Sequence, residues 1–291
     1  MHGTFQIQRV SNQGHRLRRP VAVRDVNVWF TLLALDGVAL IGCGGGVNSG
    51  FAPKQIPDLA LWLDAGAIEK LQDGDNLGTW LDSSGRGNDA IQELGTKRPK
   101  YVKNTRNGLP TVRFDGQNDV LVIPDSNSLD VGFGDLTILV VYSRGDSPTT
   151  NLRLLAKGAT TDRGQGYAIM GDNTALLLIV SNGEAERRLV GLPDQVVGQA
   201  TLGTFVVNRG IHMRAYRDGA SKSTRSLGGF GIKTWSNNDP LTIGGQNPTP
   251  SIPWKGDIME LLIYKRQLSD FERVPLEAYL AEKWSIKIEK D

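Results

Sequence analysis

Few residues in this chain are equipped for catalysis. Histidine is nearly absent: His2, His15 and His212 are the whole complement, and Cys43 is the single cysteine. A nucleophilic triad needs a histidine base, and zinc needs a set of His and Cys ligands; His2 and His15 fall within the leader, residues 1–50, so neither chemistry has its parts. A glycosidase needs two carboxylates at a fixed separation. Glu184 and Glu186 share a strand face at best, and they follow the turn segment Ser181-Asn182-Gly183. The glycines at Gly44 to Gly46 lead into a loop rather than a helix, so they do not form a phosphate cradle. No catalytic residue is assigned.

Binding chemistry has better material. Calcium takes hard oxygen donors from carboxylates, amides and main-chain carbonyls on loops. The segment Asp82-Ser83-Ser84-Gly85-Arg86-Gly87-Asn88-Asp89 has that composition, with Asp82 and Asn88 as candidate ligands. The competing reading is that both side chains bond their own loop, as Asx turns do. Saccharides have apolar ring faces edged by hydroxyls, so a sugar site sets an aromatic platform beside hydrogen-bonding groups. Trp235-Ser236-Asn237-Asn238-Asp239 holds both, and Trp254 stands in a second loop between Pro253 and Lys255. Trp235, Asn237, Asn238, Asp239 and Trp254 are therefore the candidate ligand-binding residues. The competing reading packs both indoles against the edge of the fold. Arg144, Arg187 and Arg188 could receive an acidic group, but isolated basic pairs are usually solvated.

These residues must be held by a fold, and composition bounds it. The 291 residues are 39% hydrophobic and 22% charged, ordinary for a globular chain. The 35 glycines suit many tight turns, because glycine takes positive φ cheaply. Net charge is +2, from 33 basic and 31 acidic side chains. Nucleic-acid binding needs a one-sided basic excess, so none is expected. A lone cysteine allows no internal disulfide.

Residues 1–50 read as an export leader and tether. Arg9, Arg16, Arg18, Arg19 and Arg24 precede a short apolar run from Val28 to Cys43, the pattern of an export signal. The end of that run, Leu40-Ile41-Gly42-Cys43, resembles a bacterial lipobox, which makes Cys43 the expected lipidation site. Asp36 interrupts the run at a cost. Gly44-Gly45-Gly46-Val47-Asn48-Ser49-Gly50 reads as a flexible tether. The expected location is outside the cytoplasm: cell surface, periplasm or secreted, with membrane contact only through a lipid at Cys43.

Residues 51–291 form the expected folded domain. Short β-branched and aromatic runs alternate with Gly, Asn, Asp and Pro clusters. They predict strands over Leu59 to Leu63, Thr111 to Phe114, Val120 to Ile123, Leu136 to Tyr142 and Ala175 to Val180. Further strands are predicted over Thr204 to Val207, Met213 to Tyr216, Leu241 to Ile243 and Ile258 to Tyr264. Asp218-Gly219 after Tyr216 predicts a type I′ hairpin turn. Many strands at such spacing indicate a sandwich or barrel. One helix is predicted near the C-terminus: Ser269-Asp270-Phe271-Glu272 is a capping box, and Leu276, Leu280 and Trp284 form one stripe. Pro275 is awkward within it.

Several segments then occur in a telling order: Leu61-Trp62-Leu63-Asp64-Ala65, Trp80 to Ala90, Arg98-Pro99-Lys100-Tyr101, and Val112-Arg113-Phe114-Asp115-Gly116. Gly256 to Tyr264 follows, then Arg266, Leu268-Ser269-Asp270, Glu272, Tyr279-Leu280 and Lys283-Trp284. Together they resemble the laminin G-like, concanavalin A-like lectin/glucanase superfamily, over about residues 57 to 287. The resemblance implies an all-β jelly roll of two antiparallel sheets, here with one short C-terminal helix. It implies binding of sugars, proteins or matrix; some members bind calcium, and a few are glycosidases or lyases. Glucanases of this fold carry Glu-x-Asp-x-Glu on one strand, and that pattern does not occur here. Relatives can join the Asp82-type loop to an acidic residue of the penultimate strand around calcium. Met259 stands where they often place Asp, which leaves Asp257, two places away on the same strand face, as the substitute ligand.

The expected function is a non-catalytic recognition module outside the cytoplasm, binding a carbohydrate or surface polymer, with calcium as the one cofactor in view. The alternative is a structural or adhesion domain contacting extracellular proteins. A weaker alternative is a glycoside hydrolase or polysaccharide lyase.

Overall fold

The structure, a computed structural model, describes residues 51–147, 150, 152–158, 164–171, 174–183, 187–231, 233–245 and 252–289. The leader, Cys43 and the tether lie outside the described residues, as do Glu184 and Glu186.

The chain forms strands β1 (Leu59–Asp64), β2 (Thr79–Trp80), β3 (Ala90–Ile91), β4 (Lys100–Arg106), β5 (Leu109–Asp115), β6 (Leu121–Ile123), β7 (Leu136–Arg144) and β8 (Leu152–Lys157). It continues with β9 (Gln165–Gly171), β10 (Ala175–Asn182), β11 (Arg187–Pro193), β12 (Ala200–Asn208), β13 (His212–Arg217), β14 (Ala220–Ser226), β15 (Leu241–Ile243) and β16 (Lys255–Tyr264). Helix α1 (Asp270–Lys283) follows. The first sheet runs β14-β13-β12-β7-β16-β5-β4, with β1 pairing the far half of β16. The second runs β11-β10-β9-β8-β15-β6-β3-β2, and every strand pair is antiparallel. The expected all-β sandwich of two antiparallel sheets with one C-terminal helix is what the chain forms.

The sequence shows why β7 sits at the centre of its sheet. Leu136-Thr137-Ile138-Leu139-Val140-Val141-Tyr142 does not alternate, and the whole strand is buried. A strand without alternation must be covered on both faces. Its inner face meets the second sheet: a Cβ added to Gly203, beside Val140, would lie 2.9 Å from Leu192 of β11. Its outer face lies on the side covered by α1, where Leu276, Leu280 and Trp284 are fully buried. The capping residues behave as their types require: the Glu272 carboxylate reaches back to accept the Ser269 N–H at 2.9 Å. Between the edges of the two sheets, Ser223 of β14 accepts from the Gly191 N–H of β11.

Three of the segments that carry the family resemblance meet around one buried carboxylate. Glu260 accepts the Trp62 indole N–H at 2.7 Å and the Trp284 indole N–H at 2.6 Å. Lys283 lies 2.8 Å from the same carboxylate and 2.6 Å from Asp64. This cluster joins β1, β16 and α1. It is held inside the fold, so these motif residues mark architecture rather than a ligand.

Strands β2, β3, β4, β8, β9, β11 and β14 fall outside the runs that sequence patterning predicts. Strand β14, Ala220-Ser221-Lys222-Ser223-Thr224-Arg225-Ser226, shows the reason. It is polar and at a sheet edge, so it needs no apolar face.

Candidate rim site

The loops that join β6 to β7, β12 to β13 and β14 to β15 lie at one end of the sandwich. Each carries a residue of an aromatic and guanidinium ladder. The Arg209 guanidinium carbon lies 4.3 Å from the centre of the Trp235 ring and 5.4 Å from that of Phe133. The Trp235 ring lies 6.3 Å from Phe230, and the Arg188 guanidinium lies 5.2 Å from Phe230. Guanidinium groups stack on aromatic faces because the ring quadrupole is negative there, worth about 0.5–2 kcal/mol per contact. Arg209 is fixed further by donating from Nη1 to the Gly132 carbonyl at 2.5 Å. Its main-chain N–H reaches Asp135 at 2.8 Å. Burial lowers its pKa, an effect that the charge of Asp135 partly offsets.

Phe133 ends the ladder at the surface, with 66% of it exposed. Gly132, at φ +63°, lets the loop turn there. Trp235 N–H donates to the same Gly132 carbonyl at 2.9 Å, so the two loops are tied together. Ile211, on the turn between β12 and β13, is 60% exposed. The rim therefore offers a rigid aromatic face with a cation behind it. His212 is held below its usual pKa by burial and by Arg214, so it is neutral at physiological pH.

Beneath the ladder lies Lys157, at the end of β8 and with a side chain fully out of solvent. Its ammonium is 2.6 Å from Asp125 and 3.2 Å from Asp130. It also reaches the main-chain carbonyls of Asn237 at 3.0 Å and Asp239 at 2.7 Å.

A family model described as concanavalin A-like lectin/glucanases superfamily matches residues 115–272. The chain belongs to that superfamily. No curated protein matches its sequence. Among solved structures, the binding domain of botulinum neurotoxin serotype G is similar, with a TM-score of 0.58 at 13% identity over 77% of this chain and 51% of that one. The serotype D ligand-binding domain in complex with N-acetylneuraminic acid gives 0.56 at 11% identity, over 76% and 51%. The binding domain of Paraclostridial Mosquitocidal Protein 1 gives 0.55 at 16%, over 76% and 52%. The chain spans about half the length of these structures, and at such identities the likeness is one of fold.

Within this concanavalin A-like frame, the structure corrects the expected ligand set. Trp235 and Trp254 do not form an exposed platform: both side chains are fully buried. They also lie at opposite ends of the sandwich. Trp254 donates its N–H to Gly244 just past β15 and packs edge-on against Tyr142 at 6.0 Å. Asn237 is half-buried and turned inward, its amide donating to the carbonyls of Gln165 and Trp235. Asp239 contributes its main-chain carbonyl to Lys157. Asn238 is exposed beside them. The segment is a loop, as its composition predicts, but its tryptophan builds the floor, and Phe133 supplies the exposed face. The signal for Phe133 was present in the sequence: an aromatic between two glycines, Gly132 and Gly134, in a loop.

The expected metal ligands are not gathered into one set, which is a second correction. Asp82 accepts from Trp62 N, Ser84 N, Ser84 Oγ and Asn88 N at 2.7–3.0 Å, so its lone pairs serve its own loop. The Asn88 amide donates to the Ala60 carbonyl and to Ser128. Asp257 is held by Arg113 at 2.6 and 2.8 Å. Asp82 bridges to Leu63, which pairs Leu261 of β16; four residues of strand, about 13 Å, then separate that position from Asp257. Among the described residues no group of three His, Cys, Asp or Glu side chains is placed to hold a metal.

Proposed function

We propose that this chain is a non-catalytic carbohydrate-binding module whose site is the rim patch at Phe133, Arg209 and Ile211. The observation that carries this reading is the exposed Phe133 ring, backed by a stacked guanidinium and pinned by two loops. A saccharide ring stacks on such a face, and nearby polar groups orient its hydroxyls. Half-buried Ser236 and exposed Lys233 stand on the adjoining loop. The serotype D ligand-binding domain, about half of which this chain matches, was solved in complex with N-acetylneuraminic acid, which supports a saccharide as the class of ligand.

Hydrolysis would need two free carboxylates across the bound sugar. Of the described carboxylates at the rim, Asp125 and Asp130 are committed to Lys157 and Asp135 to the Arg209 N–H, which leaves the exposed Asp239 rather than a facing pair. The same reading keeps the module outside the cytoplasm, through the export leader and a lipid on Cys43. Metabolic labelling with a palmitate analogue would detect that lipid in wild type and lose it in Cys43→Ser.

A glycan array with the full chain tests the site. Wild type is expected to bind at least one saccharide class. Phe133→Ala should lose about 1–3 kcal/mol of binding, roughly 5- to 160-fold, the usual weight of one aromatic anchor, with an unchanged melting temperature. Equal binding by the variant would remove Phe133 from the site. No binding by wild type would turn the reading toward an adhesion domain contacting proteins.

A further inference from the structure

Lys157 is a fully buried lysine enclosed by oxygen. Five acceptors surround its Nζ: Asp125 Oδ1 at 2.6 Å, Asp130 Oδ1 at 3.2 Å, the Asn237 carbonyl at 3.0 Å, Asn237 Oδ1 at 3.5 Å and the Asp239 carbonyl at 2.7 Å. An ammonium has three donors, fewer than the oxygens provided. Two carboxylates face one positive charge, an excess of negative charge that a divalent ion would balance. The donor types are those that calcium takes: carboxylate, side-chain amide oxygen and main-chain carbonyl on loops. The acceptors come from two segments, 125–130 and 237–239, that are distant in sequence and converge on this cation; the Asn237 main-chain N–H also reaches Asp130 at 3.4 Å.

We propose that this cage is a cation site that the chain fills with its own Lys157 ammonium, so that the rim loops are fixed without a bound metal. The ammonium is tethered to β8 by four methylenes, so it does not dissociate and its effective concentration does not depend on the surroundings. Coordination to calcium would need oxygen distances near 2.4 Å, a contraction of roughly half an ångström, which loop segments can absorb once the tether is removed.

Thermal unfolding of the full chain tests the proposal. Wild type should melt at the same temperature in millimolar calcium and in chelator, because a ligand that binds only the folded state would raise it. Lys157→Ala and Lys157→Met should each melt several degrees lower in chelator. Calcium should then return at least half of the loss to Lys157→Ala, where the cage is vacated. It should return none to Lys157→Met, whose side chain still fills the space. A calcium-dependent wild type would overturn the proposal, as would a Lys157→Ala variant that is indifferent to calcium or folds in neither condition.

One consequence rests on the proposed rim site: saccharide binding by wild type should be the same with and without chelator. The two failures are separable. Absence of saccharide binding would remove the proposed function and leave the melting result standing.

Discussion

Burial raises the proton affinity of both Asp119 and Glu260, but the two carboxylates are held differently. Asp119 accepts the Asp115 N–H at 2.9 Å, and burial, aided by the nearby charge of Asp115, pushes its pKa up to about 6. The folded state therefore keeps this proton to a higher pH than the unfolded chain does. The sign follows: the contribution of Asp119 is largest below 3.8 and is lost as pH rises through about 6. Urea unfolding of wild type and Asp119→Asn at about pH 4 and about pH 7 should show a smaller decline in the variant; an equal decline would exclude this origin. Glu260 is also raised by burial and by Asp64, but Lys283 and the Trp284 indole favour its charged form. Glu260→Gln removes the charge that Lys283 faces and leaves one indole N–H opposite a donor. It should cost about 3 kcal/mol in denaturant unfolding. A cost below about 1 kcal/mol would mean that Asp64 alone neutralises Lys283.

At the scale of elements, the hairpin of β13 and β14 shows local sequence at work. Asp218 and Gly219 both have positive φ, +51° and +91°, as a type I′ turn requires. Asp218 also accepts the Leu202 N–H at 2.8 Å, which docks the turn onto β12. Gly219→Ala would strain the backbone and bring a Cβ to 3.0 Å from Ile288, so a cost of about 1–2 kcal/mol is expected. Gly210→Ala, with no positive φ and open space around it, should change stability by less than about 0.5 kcal/mol. Helix α1 was legible from its capping residues and stripe, and Pro275 does not end it. Strands β4 and β14 were not legible, because exposed edge strands such as Lys100–Arg106 carry no apolar alternation to read. Strand β8 hid for another reason: its run holds Arg153 and Lys157, both buried, and nothing local says that such side chains go inside.

For the whole molecule, the proposed function puts stability and recognition at opposite ends of the sandwich. The rim site occupies one end, and Trp254 packs against Tyr142 and beside Gly171 at the other. Trp254→Phe should lower the melting temperature, since a fully buried ring loses volume, and should leave saccharide affinity unchanged. Titrating the variant with the saccharide identified on the array would check this. A loss of affinity equal to that of Phe133→Ala would mean that the two ends are coupled through the core.

Residue order alone specifies the strands with apolar runs, the Asp218-Gly219 turn, the terminal helix and membership of a two-sheet family. Each of these rests on periodicity or on a residue's own backbone preferences, which are local. It also placed Trp235 to Asp239 in a loop. Packing sets which aromatic of that rim is exposed, because Trp235 is buried by Arg209, brought to it by another loop, and by Phe230 of its own loop. The same holds for Glu260, whose partner Trp62 lies 198 residues away in the chain, and for Lys157, caged by residues up to 82 positions distant. Burial of a charge or an indole is a property of the neighbours that close over it, and those neighbours are chosen by the packing of the two sheets.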